Sequence, residues 1–180
     1  LASKSLSEND SRTVSMLLHC INDFERISDH ALDLSESAQE MHNKKISFSD
    51  KAKAEIQVYT RALSDIVGLT TKVFVKEDLQ MATLVEPLEE VVDGLNVELK
   101  SRHVKRLRNG ECTIELGFIL SDIIANYERV ADHCSNIAVC VMDAAEHNMN
   151  LHESLRIMKE DDTHFAERYA AYKRKYNVAK

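Results

Sequence analysis

Three times in this 180-residue chain a glutamate is followed four positions later by an aspartate in the same setting: Glu25/Asp29, Glu89/Asp93 and Glu128/Asp132. Each glutamate directly follows a large apolar or aromatic residue (Phe24, Leu88, Tyr127), and each aspartate follows Ser28, Val92 or Ala131 at the next turn of the same stripe. On a helix, residues four apart stand one above the other. Each pair therefore sets two like charges side by side, at a cost of roughly 0.2–0.5 kcal/mol. Because the pairs share one relation to the apolar stripe, adjacent helices can point several of these carboxylates into one groove. Such a groove calls for a counter-charge, either an arginine or a cation. Oxygen-rich, thiolate-free ligation suits hard cations such as ferric iron, manganese, magnesium or calcium, with zinc if a histidine joins.

Two of the pairs sit inside a longer repetition. Phe24-Glu25-Arg26-Ile27-Ser28-Asp29-His30 is matched by Tyr127-Glu128-Arg129-Val130-Ala131-Asp132-His133, at an offset of 128 − 25 = 103 residues. The match extends outward through Ile21/Ile124, Asp23/Asn126, Asp33/Asn136 and Leu34/Ile137. A repeat of this kind marks a duplicated structural unit. His30 and His133 lie five positions after their glutamates, off the carboxylate face, so this is not the Glu-x-x-His arrangement of di-iron bundles. They share another stripe with Arg26 and Arg129. Two readings stand side by side there. The four residues close salt bridges and hydrogen bonds between helices, or they steady the carboxylates of a metal site from behind. Catalysis has little support, because no Gly-rich phosphate loop and no Ser/His/Asp spacing for an activated nucleophile is present.

The elements that must carry these residues are long helices. One Pro, four Gly and no Trp, with 44% hydrophobic and 29% charged residues, point to an all-α domain with few turns. The net charge of 23 − 30 = −7 disfavours nucleic acid as a partner and suits cations. Cys20, Cys112, Cys134 and Cys140 form no CxxC pair and match no zinc spacing, so free thiols in a reducing compartment are expected. No apolar run approaches a membrane span, and no signal peptide is visible. The chain begins with Leu1 in mid-pattern and reads as an excised or processed piece of something longer.

Periodicity divides the chain into four long helices. The first starts near Ser7–Asp10 in a capping box and runs to Asn43-Lys44-Lys45, with a stripe through Leu17, Ile21, Phe24, Ile27 or Ser28, Ala31, Leu34, Ala38 and Met41. The second, about Asp50 to Lys76, follows a Phe48/Ser49 staple and cap, with Ser47/Asp50 as a competing cap. The third, about Leu79 to Arg108, contains Pro87, which either kinks it or marks its first turn. Asn109-Gly110 stops it. The fourth runs from about Thr113 to His147. Residues 1–148 form the bundle; 149–180 form a tail in which Leu151, Leu155, Met158, Phe165, Tyr169, Tyr172 and Tyr176 line one side of a further helix, broken at Lys159–Asp162. The tail either packs back on the bundle or binds a partner. Short joints between long helices favour antiparallel packing.

The paired Glu-Arg-x-x-Asp-His signature resembles that of the PhoU family. Phe48-Ser49, the stretch from His103 to Cys112 and the stretch from Glu128 to Ala138 resemble, more narrowly, the PhoU-like cytoplasmic domain of bacterial sodium/phosphate cotransporter-family proteins. The resemblance covers roughly Leu1 to Asn148. It implies an antiparallel bundle built from two three-helix repeats, of which this chain holds the last helix of the first and all of the second. The missing helices would leave an apolar seam for dimerisation, helix swapping or the tail to cover.

The resemblance also implies metal binding through Glu/Asp-x-x-x-Asp pairs. Glu89, Asp93, Glu128 and Asp132 match the second-repeat site, and Glu25 and Asp29 are half of the first. The metal would be iron, manganese, magnesium or zinc. The implied role is a non-enzymatic regulatory or accessory domain of phosphate transport. It would be cytoplasmic, either free or as the cytoplasmic domain of an inner-membrane protein. Its partners would be a phosphate transporter's membrane domain or transporter and sensor proteins. Two rivals remain open: a helical carboxylate-bridged metalloenzyme, and a metal-free structural interaction module.

Overall fold

A computed structural model describes residues 7–146 and 163–178. Among the described residues all regular structure is helical: α1 (Glu8–Lys44), α2 (Asp50–Lys76), the one-turn α3 (Leu79–Ala82), α4 (Val85–Arg108), α5 (Ile114–Glu146) and α6 (Thr163–Lys175).

Local chemistry sets the ends. Ser7 Oγ accepts from the Asp10 amide at 3.1 Å while the Asp10 carboxylate accepts from the Ser7 amide at 3.1 Å, the reciprocal box expected there. Of the two candidate caps on α2, Ser49 is the one used, accepting from the Ala52 amide at 3.3 Å, with Phe48 buried beside it. The third helix is not continuous. The chain breaks at Thr83 and Leu84, and Pro87 lies in the first turn of α4, where its missing N–H has no intrahelical partner to lose. Past the end of α4, Gly110 takes up a left-handed backbone with φ of 71°.

The long helices α1, α2, α4 and α5 alternate in direction. Arg102 and Arg106 near the end of α4 meet Glu55 near the start of α2, and Lys44 at the end of α1 meets Glu115 at the start of α5. Helix α5 is the hub, packing against α1 on one side and against α2, α3 and α4 on the other. It is therefore buried well beyond one stripe: Ile124, Ala131, Val139 and Cys140 join the expected Leu120, Val130, Cys134, Ile137 and Val141 in the core. The C-terminal α6 lies on α4. It is tied by Arg168 to Thr83 Oγ1 at 2.7 Å, by Lys175 to Asp65 at 2.7 Å, and by the Tyr176 hydroxyl, which also donates to Asp65. The expected helix end at His147, the positions Leu151, Leu155 and Met158, and the break at Lys159–Asp162 lie outside the described residues. All four cysteines are free thiols, with Cys20, Cys134 and Cys140 buried.

The stripe expected on α1 is only partly the buried one. Met16 and Cys20 are buried, and Phe24, Ile27, Leu34 and Met41 pack against the core. By contrast Leu17 and Ile21, which belong to the expected stripe, are exposed together with Val14, Leu18 and Leu32. Helix α1 has two apolar strips because its sequence repeats that of α5, but it has only one large neighbour. Ile21 is 60% exposed, whereas its repeat equivalent Ile124, covered from the α2/α4 side, is 1% exposed. Ile124→Ala is expected to cost about 2–5 kcal/mol, and Ile21→Ala no more than about 0.5 kcal/mol. Urea unfolding of the two variants followed by circular dichroism measures that difference.

Candidate metal centre

The seam between α4 and α5 carries a polar ladder in an apolar wall. Val85, Leu88, Val92 and Leu95 on α4 and Val130, Cys134 and Ile137 on α5 are buried core residues. Next to them, at helical spacing, α4 presents Glu86, Glu89, Asp93 and Asn96, and α5 presents Glu128, Asp132 and Ser135. The two helices are antiparallel, so the polar residues meet in rungs. At one end Ser135 Oγ donates to the buried Glu86 carboxylate. At the other, the buried Asn96 amide donates to Glu128 Oε2, with Lys100 Nζ 3.9 Å from the same oxygen.

In the middle rung Glu89, Asp93 and Asp132 each bring a carboxylate oxygen within 4.8 Å of the other two. Glu89 is buried, Asp93 is half-buried, and Asp132 lies nearest to solvent. Burial pushes the Asp132 carboxyl above its ordinary value of 3.8, and Glu128 adds to the rise; Arg129 and His133 act against it. Three hard oxygen donors on two rigid helices, one of them buried, suit a hard cation, whose charge would offset the burial and repulsion that raise the Asp132 pKa.

Glu89, Asp93 and Asp132 are brought together as the sequence suggests. Glu128 borders the cluster but turns to Asn96 and Lys100. Glu25 and Asp29 are exposed on α1 and belong to no cluster of three or more such ligands among the described residues. Arg26 and Arg129 are also exposed.

The histidines do something more specific. His133 Nδ1 donates to Asp23 Oδ1 at 2.8 Å, and His30 Nδ1 donates to Asn126 Oδ1 at 2.7 Å. Position 23 is the repeat equivalent of 126, and 30 of 133, so one contact is made twice across the α1/α5 interface. An antiparallel pair related by a local twofold produces that reciprocity. The two rings stack on each other with centroids 5.7 Å apart. They thus join the two repeats directly.

Three participants escape a reading by carboxylate spacing alone. Asn96 is a buried amide one turn past Asp93, and Ser135 continues the Asp132 face by one turn; both were legible as polar residues in register with the acids. Tyr59 reads as a member of the α2 apolar stripe, yet its phenol is fully buried and its hydroxyl has no hydrogen-bond partner. Burial, then Glu128 and Asp93, push that hydroxyl's pKa upward, which places it in the field of the acidic groove.

With this geometry in hand, the groove falls within the stretch of the chain that is similar to known proteins. Residues 59–141 match the PhoU domain. That stretch contains Glu89, Asp93, Glu128 and Asp132 and leaves out Glu25 and Asp29. Over 152 residues the chain is 29% identical to the phosphate-specific transport system accessory protein PhoU homolog 1 of Thermotoga maritima. That alignment takes in 81% of this chain and 61% of the relative, so the chain spans under two thirds of the relative's length. No solved structure matches significantly. The all-helical bundle is the architecture expected from the PhoU resemblance. Among the described residues no helix is long and apolar enough to cross a membrane.

The raised Asp132 pKa has a definite sign. Above about pH 3.8 the unfolded chain gives up this proton while the folded chain retains it. The group's contribution to stability therefore falls as pH rises through that window, and stays at its lowest once the folded carboxyl ionises. Asp132→Asn is expected to raise the urea midpoint of metal-free protein at pH 7 and to leave it unchanged near pH 3. Manganese is expected to raise the wild-type midpoint at pH 7 and not that of the variant.

Proposed function

We propose that this chain is a PhoU-type regulatory or accessory domain of phosphate transport. It acts by binding rather than by catalysis, and it holds a hard cation in the α4/α5 groove. The observation that carries the reading is the convergence of Glu89, Asp93 and Asp132 inside the stretch matched to the PhoU domain. Those three residues would ligate the ion. Glu128 reaches it only by leaving Asn96, while Tyr59 and the apolar wall keep that side of the groove dry. A bound divalent or trivalent ion supplies positive charge that locks α4 to α5. The domain would then present a rigid surface to its partner.

The partner, in this reading, is a component of a phosphate transporter or the sensor attached to it, and the domain works on the cytoplasmic side. The relative's printed name, an accessory protein of phosphate-specific transport, supports this assignment. It favours that setting over attachment to a sodium/phosphate cotransporter, to which neither comparison points. The open strip on α1 supports a packing partner there, either further helices of the same bundle or a second copy of the chain.

Mass spectrometry for metals on untagged protein tests the core of the proposal, with the Asp93→Ala/Asp132→Ala double variant as control. Near-stoichiometric iron, manganese or zinc in the wild type that vanishes in the variant is the expected result. Wild-type protein that stays empty after incubation with those metals, in magnesium-containing buffer as well, would show the groove to be packing only.

A further inference from the structure

At the other end of α4 lies a second site of opposite character. A cavity of about 490 Å³ opens between the start of α2 and the end of α4. Lys51, Arg102, Lys105 and Arg106 line it, against Glu55 and Glu111, an excess of 4 − 2 = +2 that Glu98, paired with Arg102 at 2.7 Å, reduces to 2 − 1 = +1. The whole chain carries −7. Asp93 and Arg106 are separated by 106 − 93 = 13 helical residues, about 20 Å along α4. The basic cavity is therefore distinct from the carboxylate groove.

Its floor is built rather than accidental. Arg106 is 6% exposed and Glu55 only 3%. Arg106 Nη1 donates to Glu55 Oε2 at 2.6 Å, while Arg102 Nη1 donates to Glu55 Oε1 at 3.2 Å. One buried carboxylate thus serves two guanidinium groups, and the buried Nε of Arg106 donates to nothing. Cations near a helix C-terminus ordinarily complement the helix dipole. That accounts for exposed Lys105 and Arg108. It does not account for a buried arginine, held on a buried carboxylate, in the lining of a cavity. A second cavity of about 400 Å³ continues from Arg106 to Ser47 and Ser49 at the N-terminus of α2, the positive end of that helix.

We propose that this cavity binds a phosphate dianion, as the free ion or as the phosphate of a phosphomonoester. The guanidinium edge of Arg106 would meet the oxygens in the planar geometry that suits phosphate. Lys51 and Lys105, both exposed at the mouth, would close over the remaining charge, with the Asn109 amide as a neutral donor. The positive lining favours an anion, and exposed Lys51 and Lys105, which no carboxylate of the lining pairs, add the charge that suits a dianion. The cavity is also wider than a bare phosphate needs, which leaves room for an organic group. The inference stands on this site alone and does not depend on metal in the groove.

The test is calorimetric titration of the full chain with inorganic phosphate and with adenosine monophosphate at fixed ionic strength. Binding with a dissociation constant below about 1 mM for either ligand is expected. Lys51→Ala/Lys105→Ala leaves the buried Glu55 network in place and is expected to weaken binding at least about tenfold. Arg106→Gln is expected to abolish it. If that variant fails to fold, the lysine double variant decides alone. Comparable affinity for the two ligands would identify the phosphate as the whole recognition element. Tighter binding of the nucleotide would show the rest of the cavity in use. Absence of binding by both ligands at about 10 mM, or unchanged affinity in the lysine double variant, would overturn the proposal.

Discussion

The α4/α5 seam puts acids where a helical bundle ordinarily places leucine. A carboxylate removed from water costs several kcal/mol unless it finds donors or a counter-ion. The outer rungs meet that demand with neutral donors, Ser135 to Glu86 and Asn96 to Glu128. The central rung concentrates charge, with Glu89, Asp93 and Asp132 in mutual reach. The protein answers in part by holding a proton on Asp132 more tightly than usual. The apolar wall on either side, from Val85 and Leu88 to Ile137, keeps the helices in register so that the acids stay together. A cation and a proton are alternative solutions to one electrostatic problem, and the seam's rigidity is what keeps the problem in place.

The other long interface of α5 solves a different problem with duplicated parts. The repeated signature on α1 and α5 brings the two histidines face to face and sends each to the Asp or Asn of the opposite copy. The same residue types therefore serve different ends on the two helices. On α5 the Glu/Asp pair lies against α4; on α1 the equivalent pair faces solvent. Duplication of sequence is not duplication of environment, because α5 has neighbours on two sides and α1 has its main neighbour on one.

Much of this was legible beforehand, for identifiable reasons. Helix limits followed from Ser7/Asp10, Ser49, Pro87 and Asn109-Gly110, whose chemistry acts within a turn of chain. The clustering of Glu89, Asp93 and Asp132 followed from their shared offset to the apolar stripe. What spacing could not disclose was competition. Glu128 has the right offset but also a buried amide and a lysine on the facing helix. Leu17 and Ile21 obey the helical period, yet period alone does not say which of two apolar strips will find a partner. The Glu55–Arg102–Arg106 cluster was invisible for a related reason, since it joins residues 47 and 51 positions apart with no local pattern between them.

The one-sided seating of α1 has a dynamic consequence. Proteins open in cooperative pieces, and each piece opens at the cost of the contacts it alone must break. Lifting α1 away breaks its interface with α5 and the ring contact of Phe24 with Phe74. Exposing α5 breaks its interfaces with α1, α2, α3 and α4 together. The amide protons of α1 should therefore exchange with solvent well before those of α5. The stacked histidines mark the line along which the bundle first comes apart.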